Sequence, residues 1–233
     1  NMNKFERLER LVGTSMVNSF KNEKILVVGC GGVGGYVIEG LVRSCFTDIT
    51  VVDYDMVDIT NCNRQIIALN STISKDKVDL IKERALDINS NINITCYKIK
   101  LDSDNIDEVF SSNYTYVIDA CDDIKAKELL LTYCLNKKIP IITCLGMGKR
   151  LDPTKIEITT IDKTYNDPLA RKLRYFLKKN RLSVKTKVCF SKELPVKLDS
   201  KVIASSVFVP ATAGMVIASE VLKDTVKKNK KNI

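Results

Sequence analysis

The strongest constraint on the fold of this chain is a glycine-rich turn between a predicted strand and a predicted helix. Residues 29–35 are Gly-Cys-Gly-Gly-Val-Gly-Gly, and they follow the apolar run Lys-Ile-Leu-Val-Val. In this context the pattern G-x-G-x-x-G is typical of a turn that binds phosphate through backbone N–H groups and a helix N-terminus. Gly29 permits the tight turn, Gly31 lets the backbone approach a phosphate or ribose, and Gly34 allows close helix packing.

A carboxylate stands at the end of the next predicted strand. Asp53 closes the run Asp-Ile-Thr-Val-Val-Asp, 19 residues beyond Gly34. A carboxylate at this distance can accept hydrogen bonds from both ribose hydroxyls. The turn and Asp53 together predict a bound nucleotide, but at this point an NAD-dependent dehydrogenase fits as well as an ATP-using enzyme.

The order of predicted elements indicates the fold class. Short β-branched runs alternate with longer stretches of helical period, which is typical of parallel βαβ units. We therefore predict an α/β fold with a Rossmann-like, doubly wound and mainly parallel sheet. Predicted strands cover 24–29, 48–53, 92–99, 115–120 and 139–144, and predicted helices cover 33–44, 74–89 and 122–137. We expect Ser74 to cap the second helix, and Asp122 or Asp123 to cap the third.

The pattern changes after Gly148. Short strands near 156–161 and 187–190 flank a basic helix at 166–180, and a last helix at about 211–228 turns Val216, Ile217, Val221 and Leu222 inward. No Pro-, Gly- or Ser-rich linker separates this part. We predict one domain over 1–233, in which 1–148 binds the nucleotide and 149–233 is a C-terminal extension of mixed strands and helices that completes the sheet.

The composition excludes several kinds of chemistry. The chain contains no histidine, so imidazole base catalysis, His–metal sites and Ser-His-Asp triads are excluded. The eight cysteines are scattered and form no C-x-x-C pair, which argues against structural zinc and disulfides. The sequence has no arginine-rich apolar leader and no run of about 18 apolar residues, which predicts a cytoplasmic protein without a membrane partner.

The positive charge is concentrated in one block. The net charge is +9, and eight basic residues without any acid fall within 171–187. A polyanionic partner or a solvated helix face would each account for this block. The candidates for a surface that faces nucleic acid are Arg171, Lys172, Arg174, Lys178, Lys179 and Arg181, with Tyr175 and Phe176 interleaved.

The residues after Asp53 favour ATP over NAD. Arg64 follows in the stretch Thr-Asn-Cys-Asn-Arg-Gln, and Lys77 follows at the start of a predicted helix. An enzyme that binds a dinucleotide does not need these two cations. The β- and γ-phosphates of a nucleoside triphosphate do need them, because their negative charge exceeds what the glycine turn can neutralise.

Several motifs together resemble one family. The stretches GCGGVGG, D-x-D-x-V-x-x-T-N-x-N-R-Q and V-I-D-A-C-D-D are similar to those of the superfamily of ThiF, MoeB and the ubiquitin-activating enzymes, which adenylate carboxylates. The stretches at 4–13, 151–158, 166–174 and 205–223 narrow the resemblance to the tRNA threonylcarbamoyladenosine dehydratase branch. The similarity covers nearly the whole chain, and it implies a dehydratase that cyclises N6-threonylcarbamoyladenosine in tRNA.

The resemblance implies ATP and Mg²⁺ as cofactors and a role for each matching residue. Asp53 would bind the ribose, Asn61, Arg64 and Lys77 would hold the phosphates, and Asp122 would coordinate Mg²⁺. The candidates for the nucleotide site are Gly29, Gly31, Gly32, Gly34, Asp53, Asp55, Asn61, Arg64, Gln65 and Lys77. The catalytic candidates are Arg64, Lys77, Asp122 and Arg7.

The resemblance also implies partners. Arg7 matches a family arginine that reaches across a dimer interface into the phosphate site of the partner, so a homodimer and tRNA are expected. The family arginine that opens the first motif is Lys4 here. The absence of C-x-x-C pairs weighs against a ubiquitin-like sulfur-carrier substrate, which remains the alternative.

Two further alternatives stay open. Cys62 and Cys189 are candidate acceptors of sulfur or an acyl group, in which case a cysteine desulfurase or sulfur-acceptor system would be a partner, although burial as small apolar residues accounts for them too. The chain could also be a non-catalytic module that senses nucleotide.

Overall fold

The computed structural model describes residues 3–199 and 203–230, and a seven-stranded sheet dominates that part of the chain. The strands are β1 Lys24–Val28, β2 Asp48–Val52, β3 Asn93–Tyr97, β4 Tyr116–Asp119, β5 Ile141–Cys144, β6 Ile156–Thr160 and β7 Lys187–Ser191. Their spatial order is β3-β2-β1-β4-β5-β7-β6. All neighbouring pairs are parallel except β6 and β7, so the predicted mainly parallel, doubly wound sheet is confirmed.

The winding of the sheet reverses between β1 and β4. The chain moves outward from β1 through β2 to β3, and then returns to the other side of β1 to build β4 and β5. Ligands of open α/β sheets bind at the carboxyl ends of the strands where this reversal leaves a crevice. The glycine turn follows β1 directly and therefore lies at this crevice.

Helices cover both faces of the sheet. They are α1 Glu6–Val12, α2 Thr14–Phe20, α3 Gly34–Arg43, α4 Lys77–Ile88, α5 Ile106–Val109, α6 Ile124–Lys137, α7 Pro168–Lys179 and α8 Phe208–Lys230. Alternate residues of β1 point to opposite faces, because Ile25 and Val27 pack with α3, α4 and α8, whereas Leu26 and Val28 pack with α6 and α7.

The extension adds to the same sheet. β7 pairs with β5, β6 covers the free side of β7, and α8 packs on α3. Small residues allow this close packing, because a Cβ on Gly214 would lie 2.5 Å from the Val33 carbonyl oxygen. The last helix begins at Phe208, three residues before its predicted start. Ile217 and Val221 are fully buried, as predicted, while Val216 and Leu222 are partly buried.

The predicted caps need one correction. Helix α4 begins at Lys77, so Ser74 does not cap it. Ser74 instead has a φ of 66° and donates its N–H to the Val57 carbonyl, which keeps it in the preceding loop. Of the two predicted caps of α6, Asp122 and Asp123, it is Asp123 that caps the helix, because its side chain accepts from the N–H groups of Lys125 and Ala126.

No helix within residues 3–199 and 203–230 is both long and apolar enough to cross a membrane.

Candidate active site

One cavity of about 620 Å³ lies at the carboxyl edge of β1, β2, β4 and β5. It collects predicted site residues that are as far as 93 positions apart in the sequence. Those that line it are Gly29, Gly31, Gly32, Asp53, Asp55, Asn61, Arg64, Gln65, Lys77 and Asp122. The residues predicted to bind a nucleotide therefore surround one cavity, and this cavity has room for a ligand of drug-like size.

The glycine turn is as tight as its sequence requires. Gly29 has a φ of 96°, and a Cβ there would lie 2.6 Å from the Ala120 carbonyl oxygen. Gly34 does not line the cavity, because it packs against the turn itself: a Cβ would lie 1.7 Å from the Gly29 carbonyl oxygen. Gly31 has more space, with Gln65 Nε2 at 3.5 Å from the position of a Cβ. Its open side leaves backbone accessible to a ligand.

Asp53 is fixed by backbone hydrogen bonds. Its Oδ2 accepts from the Cys30 N–H at 2.6 Å, and its Oδ1 accepts from the Asp55 N–H at 2.9 Å. Burial raises the pKa of the Asp53 carboxyl, while these two hydrogen bonds act in the opposite direction. Each carboxylate oxygen has a further lone pair, so the fixed side chain can still accept from ribose hydroxyls.

Lys77 and Asp55 form an ion pair in the cavity wall. Nζ lies 2.9 Å from Asp55 Oδ2, and the Lys77 side chain is 6% exposed whereas that of Asp55 is 46% exposed. The Lys77 N–H also donates to the Asp55 carbonyl oxygen, which fixes the start of α4 against the loop after β2. The lysine is therefore held in place, with its charge at the cavity.

The Asn61–Gln65 segment is folded as a short turn. Asn61 Oδ1 accepts from the Asp58 N–H, which leaves its amide nitrogen available, and Arg64 donates to the carbonyl oxygen of Thr60 at 2.8 Å. Gln65 Oε1 is buried and lacks a hydrogen-bond partner among the described residues. Such an unpaired buried oxygen is costly, and a ligand donor at the cavity would satisfy it.

Two neighbouring aspartates have different environments. Asp123 caps α6 and pairs with Lys100 at 3.1 Å, and these contacts, the Lys100 hydrogen bond first, lower its pKa. Asp122 is exposed and lines the cavity without a hydrogen bond or ion pair in the described part of the chain. No group of three or more metal-ligating residues occurs within residues 3–199 and 203–230. One free carboxylate still fits Mg²⁺, which is commonly held by one or two carboxylates together with substrate phosphates.

A buried ion pair under the cavity is a feature that the sequence argument missed. Lys127 donates to Asp119 Oδ1 at 2.9 Å and to the Cys144 carbonyl oxygen at 2.8 Å, and both side chains are at most 1% exposed. Burial is the largest single influence on the pKa of Lys127 and would lower it, but the charge and hydrogen bond of Asp119, together with Cys121 and Cys144, act in the opposite direction and raise the pKa. The pair ties the ends of β4 and β5 together through α6.

Arg150 and Asp167 form a second buried polar cluster that was missed. Arg150 is 2% exposed, and it donates to the carbonyl oxygens of Gly146 and Asn166. Asp167 caps α7 and accepts from the Gly146 N–H at 3.1 Å. The cluster joins the extension to the loop after β5. Asp167, in the 166–174 motif, therefore has a structural role. Its position directly before Pro168 is the sequence feature that predicts a helix cap there.

Comparison with known proteins identifies the family. The ThiF family model matches residues 5–233.

The chain belongs to the ThiF family.

Full-length relatives support this assignment. This ThiF family protein is 35% identical to the tRNA threonylcarbamoyladenosine dehydratase of Bacillus subtilis, over 97% of the chain and 96% of the relative. Crystal structures of the tRNA N6-threonylcarbamoyladenosine dehydratase of Escherichia coli with AMP and with ATP superpose with TM-scores of 0.93 and 0.92. Each has 36% identity, and each match covers 98% of this chain and 96% of that one.

Arg7 lies away from the cavity of its own chain. It is exposed on α1, and it is absent from the cavity lining. Lys4, which departs from the family pattern, donates to the Ile88 carbonyl oxygen at 3.2 Å. Any part for Arg7 in this ThiF site would therefore require a second copy of the chain.

The basic block of this ThiF protein is divided by its contacts. Arg174 points inward and donates to the carbonyl oxygens of Ile161 and Thr164, so its candidacy for tRNA contact is not supported. Lys185 pairs with Asp162, and Lys187 pairs with two acids of α8. The remaining five are exposed: Arg171, Lys172, Lys178, Lys179 and Arg181. We call these five the α7 basic surface; Tyr175, 69% exposed, lies among them.

The cysteines differ in access. All eight are free, and Cys62 is exposed whereas Cys189 is fully buried. A hydrogen bond with Cys144, together with burial, raises the pKa of the Cys189 thiol. Cys189 therefore lacks both the access and the thiolate that an acceptor of sulfur needs in this fold.

Proposed function

We propose that this chain is an ATP-dependent tRNA threonylcarbamoyladenosine dehydratase. It would adenylate the carboxylate of the threonylcarbamoyl group and close it to cyclic N6-threonylcarbamoyladenosine beside the anticodon. The observation that carries the proposal is the convergence of the ATP-type residues on one cavity, in a chain that matches dehydratases over 97–98% of its length.

The first step suits the residue types present. A carboxylate oxygen attacks the α-phosphorus of ATP, pyrophosphate leaves, and an acyl-adenylate remains. This step needs alignment and charge neutralisation, and it does not need a proton-shuttling imidazole. A chain without histidine can perform it.

Different residues of the cavity wall would bind the ribose and the phosphates of ATP. Asp53 would accept the ribose hydroxyls, and the open backbone at Gly31 and Gly32 would lie against the nucleotide. Lys77 and Arg64 would neutralise the phosphates and the charge that develops as pyrophosphate departs. Lys77 is already buried and oriented by Asp55, so little ordering is required when ATP binds.

Asp122 is the residue that would hold Mg²⁺. When bound with ATP, the ion would neutralise phosphate oxygens during the displacement. Asp122 has the free carboxylate for this role, because Asp123 is occupied by its cap and by Lys100.

The second step is an acyl transfer and needs no further cofactor. An internal nucleophile of the threonylcarbamoyl group attacks the activated carbonyl carbon and releases its proton, AMP leaves with one carboxylate oxygen, and a five-membered ring forms. Relative to the starting nucleoside, one water is lost. The apolar part of the cavity wall, with Leu145, Met147 and Leu169, would restrict hydrolysis of the adenylate.

The assembly that we propose is a homodimer of single-domain chains. Parts 1–148 and 149–233 would act as one unit, and Arg7 of each chain would enter the phosphate site of the other. The α7 basic surface would face the phosphates of tRNA. The free cysteines suit a reducing compartment, and we therefore expect the protein in the cytoplasm.

Nucleoside analysis by mass spectrometry tests this function. The protein is incubated with tRNA that carries N6-threonylcarbamoyladenosine, with ATP and Mg²⁺, and we expect that nucleoside to lose one water. A reaction without ATP and a reaction with Arg64→Ala are the controls. No mass change, or pyrophosphate exchange stimulated by a Gly-Gly-ended carrier protein and not by tRNA, would contradict the proposal.

A further inference from the structure

The loop after β5 supplies the cavity with a cation that the roles above do not use. Lys149 lines the cavity and is half-buried. The other cations of the wall are engaged: Arg64 with the Thr60 carbonyl, Lys77 with Asp55, Lys100 with Asp123, Lys127 with Asp119 and Arg150 with the Gly146 carbonyl. Within residues 3–199 and 203–230, the ammonium of Lys149 has neither a hydrogen bond nor an ion pair.

The backbone at Lys149 is held in an unfavourable conformation. Its φ is 60°, in the left-handed region that residues with a Cβ seldom adopt. Two hydrogen bonds fix it there: Lys149 N–H donates to the Ala204 carbonyl, and its own carbonyl accepts from the Val196 N–H, each at 2.7 Å. Glycine or asparagine would meet this φ more easily. These hydrogen bonds fix the point at which the Lys149 side chain leaves the backbone, in the wall of the cavity.

The position of Lys149 separates it from the nucleotide end. The glycine turn follows β1 and Asp53 follows β2, whereas Lys149 belongs to the loop after β5, on the other side of β4. Neighbouring strands are about 4.8 Å apart, so two strand spacings separate the ends of β1 and β5 by about 10 Å. A nucleotide whose ribose lies at Asp53 leaves the β5 end of the cavity for the second substrate.

We propose that Lys149 binds the carboxylate that is to be adenylated. This inference rests on the proposed function and names the residue that receives its second substrate. A carboxylate that approaches the α-phosphorus meets the negative charge of ATP, and a cation on its own side of the cavity offsets this repulsion. The ammonium of Lys149 is unpaired among the described residues and belongs to the β5 end of the cavity, and the hydrogen-bonded backbone fixes the position of its Cβ.

The test uses glycine at position 149, because this change removes the cation and also relieves the backbone. We expect Lys149→Gly to keep a Tm at or above that of the wild type and to keep its Kd for ATP. The kcat/KM for modified tRNA, and tRNA-dependent ATP–pyrophosphate exchange, should fall about 10- to 100-fold, the usual effect of losing a hydrogen bond to a charged group. Lys149→Arg should recover part of this loss.

Lys138→Gly is the matched control. Lys138 also has a left-handed backbone, with a φ of 57°, but it is exposed at the end of α6 and lies outside the cavity lining. Its replacement should leave kcat/KM unchanged.

The outcomes separate the two proposals. If the wild type dehydrates tRNA and Lys149→Gly does so equally well, the role of Lys149 is wrong while the function stands. A weaker Kd for ATP in Lys149→Gly would assign the lysine to the phosphates and would also overturn its carboxylate role. A wild type that lacks the activity removes both proposals.

Discussion

Lys127 and Asp119 form a fully buried ion pair beneath the cavity, with 2.9 Å between Nζ and Oδ1. Removing one partner leaves an uncompensated charge in the core. We predict that Lys127→Met lowers the free energy of unfolding by about 3–5 kcal/mol, as measured by urea denaturation. The double variant with Asp119→Asn should lose much less than the sum of the two single losses, because no unpaired charge remains.

A surface pair provides the comparison for this prediction. Lys98 binds Asp76 and Asp79 with a side chain that is 47% exposed. We expect Lys98→Met to cost less than about 1 kcal/mol. Equal losses in Lys127→Met and Lys98→Met would show that the buried pair is not a special support of the β4–β5 edge.

The two alanine substitutions in the glycine turn should have different consequences. Gly34→Ala would place a Cβ 1.7 Å from the Gly29 carbonyl oxygen, so we predict a large loss of Tm and of soluble protein. Gly31→Ala meets its nearest neighbour at 3.5 Å, and we predict a folded protein that binds ATP more weakly. Thermal unfolding with and without ATP separates these effects. A stable Gly34→Ala protein would contradict the packing role.

Mixing of two inactive variants tests the shared site. If Arg7 of one chain completes the phosphate site of the other, Arg7→Ala and Arg64→Ala homodimers should each have low kcat. Random exchange of subunits should restore about one quarter of the wild-type sites. Activity that stays at the level of the separate variants, in mixtures shown to contain heterodimers, would rule out a contribution from Arg7 across the interface.

Salt dependence tests the α7 basic surface. Charge removal at Lys178, Lys179 and Arg181 should raise the KM for tRNA and reduce the slope of log KM against log salt concentration, because fewer counterions are released. The KM for ATP should not change. Removal of the single charge of Arg43, whose partner Glu39 keeps a second arginine, serves as a control for charge loss elsewhere on the surface. Equal KM values for tRNA in both variants would remove this surface from the tRNA interface.

The sheet was predictable because its strands are buried. The β-branched runs of β1, β2 and β4 can be recognised as buried strands from the local sequence alone. The spacing of the glycine turn from Asp53 follows from the geometry of one βαβ unit. The capping role of Ser74 was a wrong prediction, because the loop after β2 holds Ser74 in a left-handed conformation that local sequence does not reveal.

Buried charges were the part that the sequence could not indicate. Lys127 lies within a helix beside other polar residues, and nothing in its neighbourhood distinguishes it from a solvated lysine. Its burial depends on Asp119 and the Cys144 carbonyl, which belong to two different strands. Arg150 likewise depends on Asp167, 17 positions away. Such pairs become visible when the sheet brings the strand ends together.

Oxygen labelling tests most directly whether the substrate carboxylate is activated as an adenylate. The tRNA would carry N6-threonylcarbamoyladenosine with ¹⁸O in its carboxylate, and the products would be analysed by mass spectrometry. Attack on the α-phosphorus predicts AMP that contains one ¹⁸O atom for each ring formed, together with unlabelled pyrophosphate. Unlabelled AMP, or ¹⁸O in inorganic phosphate together with ADP, would contradict the account.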